Sequence, residues 1–438
     1  MPNPILSMAG TWAEPLTFAA MLACFGLLSV AARWPIGMAL IAAAWAGAAL
    51  NGEYFPLRHM VEGAFSYFDP ILIIATAMIF MRVLADGGAL GAIGAAVERR
   101  FGSRPALLLP VVMLIIMFPG MITGSSTASV ITTGSVAASM IGSLGLSRER
   151  VAALIAMGGV LGMVAPPVNI PAMIIGGGID LPYTGFALPL AAASFPLAGI
   201  VAYLLAWPAL RNKDRRNAPG YRPPVQGSGS SISGSRALVA PLVAALFMLA
   251  PRLMPEHIAD PGLPLVFVCA GVAGILTLPG FAVLPSLLRA TEECLPVLGI
   301  LCGVGSFIQV MTLTGARGWL VSLMTGAPSW ALLLAAGASL PLFGAVSAFG
   351  SASVLGVPFL LAFLGRNEIV TTAALSLLTA LGDLMLPAAL AATLAAQVAG
   401  APDRLRVLRL CIVPALLTIA AAIAMLFFAP ELGRWLGT

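Results

Sequence analysis

Charged residues are scarce in this chain. Only 9% of its 438 residues are charged, whereas 60% are hydrophobic, and the mean hydropathy is +1.02. Soluble domains carry about a quarter charged residues, so this composition excludes a soluble globular protein. Apolar stretches close to the roughly 20 residues needed to cross a bilayer recur along the whole length. They predict an all-α polytopic membrane protein, in which the segment from about Leu16 is a retained span and not a cleaved signal peptide.

Lysine, histidine and paired cysteines are also nearly absent. Lys213 is the one lysine among 22 basic residues, and the two histidines are His59 and His257. The five cysteines stand singly, without a CxxC pair, so neither a disulfide framework nor a zinc site is predicted. A hydrolase built on Ser125 would need a histidine base, and both histidines lie near predicted segment ends. We therefore expect a protein that is not an enzyme, and the net charge of +5 indicates loop orientation, not nucleic-acid binding.

One hydrophilic interruption divides the chain into two membrane halves. Residues 211–236 combine a charge run, a Pro-rich middle and a Ser/Gly tail, which predicts an exposed flexible linker. The first half then covers residues 1–210 and the second half residues 237–438. If the linker is cytoplasmic, 16 basic residues fall on its side of the membrane and five on the other. This bias predicts a cytoplasmic linker in a multi-pass membrane protein.

The two halves resemble each other in sequence. Phe80–Gly91 can be laid over Phe307–Gly318, with Phe, Val, Gly, Ala and Gly coinciding at one offset. Further landmarks follow in the same order: Gly124 and Gly350, Gly162 and Gly382, Pro166 and Pro387. The arginine distribution places corresponding segments on opposite sides of the membrane. The sequence therefore predicts two inverted repeats.

A Gly/Ser-rich break interrupts an apolar stretch in each half. Residues 118–129 read FPGMITGSSTAS, and residues 343–354 read FGAVSAFGSASV. Backbone at membrane depth is left non-helical only where protein or a water-filled cavity satisfies its polar groups. Matched breaks of this kind indicate a secondary transporter, with re-entrant helical hairpins near 105–145 and 328–365. The alternative is that the small residues only permit close helix packing.

The residues of these breaks suit a small cation. Glycine permits the bend, while hydroxyls and freed carbonyls can replace the hydration shell of the ion. A helix that starts at such a break also directs N–H groups at an anion. The candidate positions are Gly124, Ser125, Ser126 and Thr127 in the first half, and Gly350, Ser351 and Ser353 in the second.

A broken helix follows each hairpin in the sequence. Pro166 and Pro167 stop the first helix and free carbonyls, and Asn169 can both donate and accept. Asp383 is the one carboxylate placed deep in an apolar stretch of the second half. It would bind a cation, carry a coupled proton or pair with a basic group, and otherwise it is interfacial. Arg82 either offers its charge to an anionic substrate or to Asp383, or it snorkels to the headgroups.

The chain resembles a known family at these motifs. The residues from Phe118-Pro119-Gly120 through Gly124–Ala128 to Gly162–Pro167 resemble the large permease subunit of tripartite ATP-independent periplasmic (TRAP) transporters. Leu84–Gly94 is similar too, and the resemblance extends loosely over nearly the whole chain. It implies a protein of the bacterial inner membrane with an elevator mechanism, in which a transport domain slides against a scaffold. A small membrane subunit and a periplasmic substrate-binding protein are the implied partners.

The resemblance also implies which residues bind sodium, and the residue chemistry adds candidate substrate contacts. For the coupling sodium ions, carry-over gives Gly124, Ser125, Ser126, Pro166, Pro167, Gly350, Ser351 and Asp383. Candidate substrate contacts are Ser126, Thr127, Asn169, Ser351, Ser353 and Arg82. The second half lacks the Thr-Pro-Pro element usual in the family and has Met385–Ala389 there, and Gly344–Pro358 contains no acid.

Together these features predict a secondary active transporter that takes up a small organic anion, a carboxylate, with sodium. We expect it to be the membrane permease component of a TRAP system. The open alternative is a stand-alone relative that works without a binding protein and is coupled to protons or sodium. A channel or scaffold subunit, which needs no coupling ion, is the remaining class.

Overall fold

The computed structural model describes residues 12–142, 144–211, 236, 238–254, 256–278 and 281–437. The secondary structure of these residues is helical apart from one isolated bridge, which confirms the predicted all-α protein. Six of the described helices are long and apolar enough to cross a membrane. The predicted linker at 211–236 lies, except for its two ends, outside the described residues.

The described part of the first half is a run of ten helices separated by short breaks. They are α1 (Ala13–Gly26, continued by a π-helical turn at Leu27–Ala31), α2 (Ile36–Leu50), α3 (Leu57–Phe65), α4 (Phe68–Asp86), α5 (Ala89–Phe101), α6 (Pro105–Thr123), α7 (Ser126–Gly142), α8 (Arg148–Val164), α9 (Ile170–Gly177) and α10 (Ala187–Arg211).

The second half repeats much of this order. It comprises α11 (Val239–Leu253), α12 (Leu263–Thr277), α13 (Val283–Leu313), α14 (Ala316–Thr325), α15 (Ser329–Gly344), α16 (Ala348–Ala362, π-helical at Ala352–Gly356), α17 (Glu368–Ala380, continued by a 3-10 turn at Leu381–Leu384), α18 (Leu390–Val398), α19 (Arg404–Phe427) and α20 (Ala429–Leu436). Each half thus has a hairpin, a broken helix and a long helix in succession. The inverted orientation of the halves stays a prediction.

The helices pack into two sets. The frame helices, α1–α4 and α11–α13, pack mainly on one another, and the 31-residue α13 contacts α2, α3 and α4. The hairpin helices, α6–α10 and α15–α19, form the second set, in which α8 contacts α6, α7, α10, α18 and α19. The short helices α5 and α14 join the sets, because each contacts a frame helix on one side and a hairpin helix on the other.

Glycines allow the frame helices to touch backbone to backbone. A Cβ added to Gly303 on α13 would lie 2.5 Å from the carbonyl oxygen of Gly37 on α2. Gly63 on α3 and Gly305 on α13 face each other in the same way. Such contacts leave no room for a side chain, so these three helices form one tightly packed unit.

Arginines join the two long helices of the hairpin set to the broken helices, and one of them lies at a helix end. Arg150 Nη1, at the start of α8, donates to the carbonyl oxygen of Leu205 on α10 at 2.9 Å. Arg366, just before α17, donates to the carbonyl oxygen of Leu426 near the end of α19. A cation near the last carbonyls of a helix stabilises its negative end. These contacts fix the outer helices of the set to α8 and α17, which carry the breaks.

Candidate functional site

The first hairpin turns at Gly124. This residue has a φ of +64°, in the left-handed region that glycine adopts without strain, and it ends α6. Ser125 Oγ then accepts a hydrogen bond from the backbone N–H of Ala128 at 3.3 Å and caps the start of α7. A Cβ on Gly124 would overlap the side chain of Ile170, so the tip lies directly against the start of α9.

The first broken helix is held against this tip. α8 ends at Val164 because Pro166 and Pro167 cannot donate backbone hydrogen bonds. The backbone N–H of Val168 donates instead to the carbonyl oxygen of Met121 in α6, at 3.0 Å. The buried Asn169 side chain accepts from the N–H of Ala172 at 2.9 Å, so it caps α9.

Asn169 also crosses to the second half of the chain. Its amide Nδ2 donates to Ser376 Oγ on α17 at 2.8 Å and to the carbonyl oxygen of Val164 at 3.0 Å. Asn169 itself is fully buried. Asn169 is therefore placed as a structural link between the two broken helices.

The second hairpin turns at residues 345–347, earlier than the Gly350-Ser351 pair suggested. Ser347 Oγ accepts from the N–H of Gly350 at 3.1 Å and caps the start of α16, as Ser125 does for α7. Gly350 and Ser351 lie inside α16, about one turn beyond the tip. Ser351 Oγ donates to the carbonyl oxygen of Leu340 at 2.7 Å, and Ser353 Oγ to that of Gly350 at 3.0 Å.

The second tip rests on the second broken helix. A Cβ on Gly344 would lie 2.7 Å from the Cα of Gly382, and one on Gly382 would overlap the backbone of Gly344. α17 continues past Ala380 as a 3-10 turn that contains Asp383, and the chain leaves the helix at Met385. The close glycine contact therefore brings Asp383 beside the hairpin tip.

Both tips and the second break line one cavity of about 170 Å³. Ser125, Ser126 and Thr127 contribute from the first hairpin, and 344–349 from the second. Gly382, Asp383, Ala388 and Leu390 contribute from the second break, while Met163 of α8 and the frame residues Ile36 and Ile300 complete the wall. The cavity therefore lies where the two halves of the hairpin set meet the frame.

One carboxylate dominates the charge of this cavity. Asp383 is the sole ionisable residue among those that line it. The buried Ser126 donates from Oγ to Asp383 Oδ2, a bond between residues 257 positions apart. A carboxylate has about four lone-pair sites that can accept hydrogen bonds or contact ions. Ser126 occupies one of them, so Asp383 can also bind a cation.

The predicted site residues thus fall into two groups. Ser125, Ser126, Thr127 and Asp383 meet at the cavity, and Gly124 forms the adjoining turn. The remaining predicted residues do not line it: Pro166, Pro167, Asn169, Gly350, Ser351, Ser353 and Arg82. Their assignment to sodium or substrate stays a prediction.

Arg82 lies away from the cavity. Its guanidinium pairs with Asp86 at 2.7 Å and with Glu293 of α13 at 2.9 Å. Asp86 also accepts from Ser286 Oγ at 2.7 Å. Arg82 therefore joins α4 to α13 within the frame, and it does not pair with Asp383.

Ser347 is the hydroxyl-bearing lining residue that the sequence reasoning missed. The signal that would have found it is the drift of the offset between the halves. Pro105 and Pro328 differ by 223 positions, and Pro166 and Pro387 by 221. Ser125 and Ser347 differ by 222, which fits between them, whereas Gly124 and Gly350 differ by 226.

Solved structures share this architecture. The YdaH transporter of Alcanivorax borkumensis is similar with a TM-score of 0.63 at 16% identity, over 86% of this chain and 87% of that one. MtrF of Neisseria gonorrhoeae, described within a class of antimetabolite efflux pumps, is similar with a TM-score of 0.53 at 13% identity, over 86% and 84%. At these identities the similarity shows a common fold.

The family follows from the sequence match. No curated protein matches the chain. The family model described as the tripartite ATP-independent periplasmic transporter, DctM component, matches residues 20–432. Hairpin tips that meet at a cavity agree with the resemblance seen in the sequence. The chain belongs to the DctM family, the large permease of TRAP-type secondary transporters.

Proposed function

We propose that this permease imports a small organic anion, a carboxylate, together with sodium, and that the 170 Å³ cavity holds both. The observation that carries the proposal is the meeting of both hairpin tips with Asp383 around one partly open cavity. Hydroxyls, freed carbonyls and a carboxylate are hard oxygen donors, which suit a hard cation such as sodium.

The charge of the cavity supports a coupled cation. Asp383 would repel an organic anion, and the lining contains no arginine, lysine or histidine to offset it. A sodium ion on the carboxylate would remove that repulsion and attract the anion. The caps at Ser125 and Ser347 also place the starts of α7 and α16 at the cavity, where the positive ends of helices favour anions.

The size of the cavity limits the substrate. A cavity of about 150 Å³ in another protein binds benzene, a molecule of six carbon atoms. A space of 170 Å³ therefore suits a solute of about that size, such as a carboxylate with three to six carbon atoms. A drug-sized ligand would need a pocket of roughly 300 Å³ or more.

The two helix sets support an elevator mechanism. The frame helices would form the scaffold, and the hairpin helices would form the transport domain that carries the cavity. The sets are joined by the short helices α5 and α14 and touch directly where α4 meets α6 and α13 meets α16, so the second set would have to slide along these contacts as a body. Membership of the TRAP family implies a substrate-binding protein and a membrane partner in general. The alternative of a stand-alone, proton-coupled carrier rests on Asp383 as the proton carrier.

Uptake into proteoliposomes tests the proposal. Labelled carboxylates of three to six carbons are offered to the purified permease, alone and with its binding protein and small subunit. We expect uptake under an inward sodium gradient and none when choline replaces sodium. Uptake that ignores sodium but follows a proton gradient would replace the proposal with the alternative. A dependence on the binding protein would exclude stand-alone transport.

A further inference from the structure

The half-helix α9 is held at its two ends by different helix sets. At its start, Asn169 caps it and bonds to Ser376 of α17, so this end belongs to the hairpin helices. At its other end, the side chains of Tyr67 and Arg317 donate to its final carbonyls. Since α9 has only eight residues, its length is about 12 Å. This short element therefore spans from one set to the other.

Both donors at the far end belong to the frame side. Tyr67 lies between α3 and α4 and is 1% exposed, and its Oη donates to the carbonyl oxygen of Ile174 at 2.8 Å. Arg317 lies at the start of α14, and its Nη2 donates to the carbonyl oxygen of Gly178 at 2.7 Å. Its Nη1 lies 3.3 Å from Oγ1 of Thr312, which ties the guanidinium to α13.

The physical chemistry of a helix end favours these contacts. The last carbonyls of a helix lack intrahelical partners and form the negative end of its dipole. A guanidinium there makes a charge-assisted hydrogen bond, which is about twice as strong as a neutral one. Asp180, next to the helix end, also attracts the Arg317 guanidinium.

The glycines at the end of α9 make the approach possible. A Cβ on Gly177 would lie 2.9 Å from Cε1 of the Tyr67 ring. On the other side of the ring, a Cβ on Gly305 of α13 would lie 3.0 Å from Cδ2. The ring is thus enclosed between a frame helix and α9, in a space that only glycine provides on both sides.

We infer that Tyr67 and Arg317 are positioning residues that hold the hairpin helices against the frame in the arrangement seen here. The inference rests on the elevator part of the proposed function. Tyr67 belongs to the frame, and Arg317 on the joining helix α14 is tied to the frame through Thr312. The acceptors belong to the hairpin helices, so a shift of one set along the other breaks both bonds. We name this pair the α9 latch.

Conservative substitutions with matched controls test the α9 latch. Tyr67→Phe and Arg317→Gln each remove one bond between the sets. Tyr203→Phe and Arg150→Gln remove bonds of the same chemistry within the hairpin helices, because Tyr203 Oη donates to Ala106 at 2.6 Å and Arg150 to Leu205 at 2.9 Å. Each control therefore removes a hydrogen bond of the same type without releasing the frame.

The readout is the distance between the two sets in the full chain in proteoliposomes. Spin labels are placed at Val272 of α12 and Ile131 of α7, which are 49% and 59% exposed, after the five native cysteines are replaced by alanine. Pulsed electron–electron double resonance then gives the distribution of distances between the two labels, and with it the population of each arrangement. A residue with a merely structural role would change the melting temperature but not these populations.

We expect a second distance to gain population in both latch variants. The population ratio should change by about 2- to 10-fold for Tyr67→Phe and by at least 10-fold for Arg317→Gln, since the latter bond is charged. Arg317→Lys should restore part of the parent distribution. Both controls should match the parent.

Unchanged populations in both latch variants would overturn the inference. Two other patterns separate it from the elevator proposal. If the parent shows two distances that respond to sodium but not to the latch variants, the latch alone is rejected. If no variant and no sodium concentration produces a second distance, the elevator mechanism fails together with the latch.

Discussion

The contact between Gly344 and Gly382 gives the sharpest prediction of the structure. In Gly344→Ala, the new Cβ would lie 2.7 Å from the Cα of Gly382 and 3.0 Å from the carbonyl oxygen of Thr379. Ordinary contact begins near 3.4 Å, so the two backbones must separate by about 0.7 Å. Both neighbours are backbone atoms, which cannot rotate away as the end of a side chain can.

The cost follows from this geometry. Overpacking of a tight contact typically destabilises a protein by about 1–3 kcal/mol. The contact holds the second hairpin tip beside Asp383. If the mutation displaces the tip, the sodium affinity should therefore fall by the factor that corresponds to this energy, about 5- to 150-fold. Gly199→Ala on α10 is the matched control, because its Cβ would meet nothing within 4 Å. It should stabilise its helix by about 0.5–1 kcal/mol.

Two measurements check this prediction. Thermal unfolding in detergent should show a lower melting temperature for Gly344→Ala and an equal or higher one for Gly199→Ala. Sodium-dependent uptake, measured over a range of sodium concentrations, should shift to higher concentrations in Gly344→Ala alone. If Gly344→Ala melts and transports like the parent, the tip does not rest on the second break as described.

Three further predictions concern single contacts. Ser126→Ala should raise the sodium concentration for half-maximal uptake by roughly 10-fold or more, because a hydrogen bond to a charged carboxylate is lost. Ser194→Ala, which changes another buried serine, should leave that concentration unchanged. Arg82→Gln should lower the melting temperature, because the ion pairs with Asp86 and Glu293 are lost, and it should leave the sodium dependence of uptake unchanged. A changed sodium dependence would indicate that Arg82 takes part in the site. Asn169→Ala should cost at least about 1–2 kcal/mol in thermal unfolding through loss of the α9 cap, and an unchanged melting temperature would contradict its linking role.

Local chemistry explains the part of the fold that the sequence could predict. Gly124 ends α6 because a left-handed turn needs no Cβ, and Pro166 with Pro167 ends α8 because prolines lack a backbone donor. Both effects act within a few residues. The ends of α6 and α8 could therefore be located from the order of residues.

The second hairpin was harder to place, again for a local reason. Matching Gly124 of the first half with Gly350 places the second tip too late in the sequence. The turn itself lies at 345–347, which contains no glycine. In the structure the serine cap marks the tip. A cap leaves a weaker sequence signal than a glycine does.

Contacts between distant segments could not be read from the sequence. Ser126 and Asp383 are 257 positions apart, and Arg82 and Glu293 are 211 apart. Hydrophobic periodicity predicts helices but does not say which polar side chains will face each other across them. For this reason Ser126 and Asp383 are both candidates in the sequence while their contact is not predicted, and Arg82 is a candidate although Glu293 holds it in the frame.

Direct sodium binding tests the central claim, that the two hairpin tips and Asp383 form one cation-binding cavity. Binding of radioactive sodium to the purified permease should be saturable. It should weaken by at least about 10-fold, or 1.4 kcal/mol, in Asp383→Asn, and remain unchanged in Asp69→Asn, whose side chain is exposed on α4. No saturable binding to the parent, or equal binding to Asp383→Asn, would contradict the account.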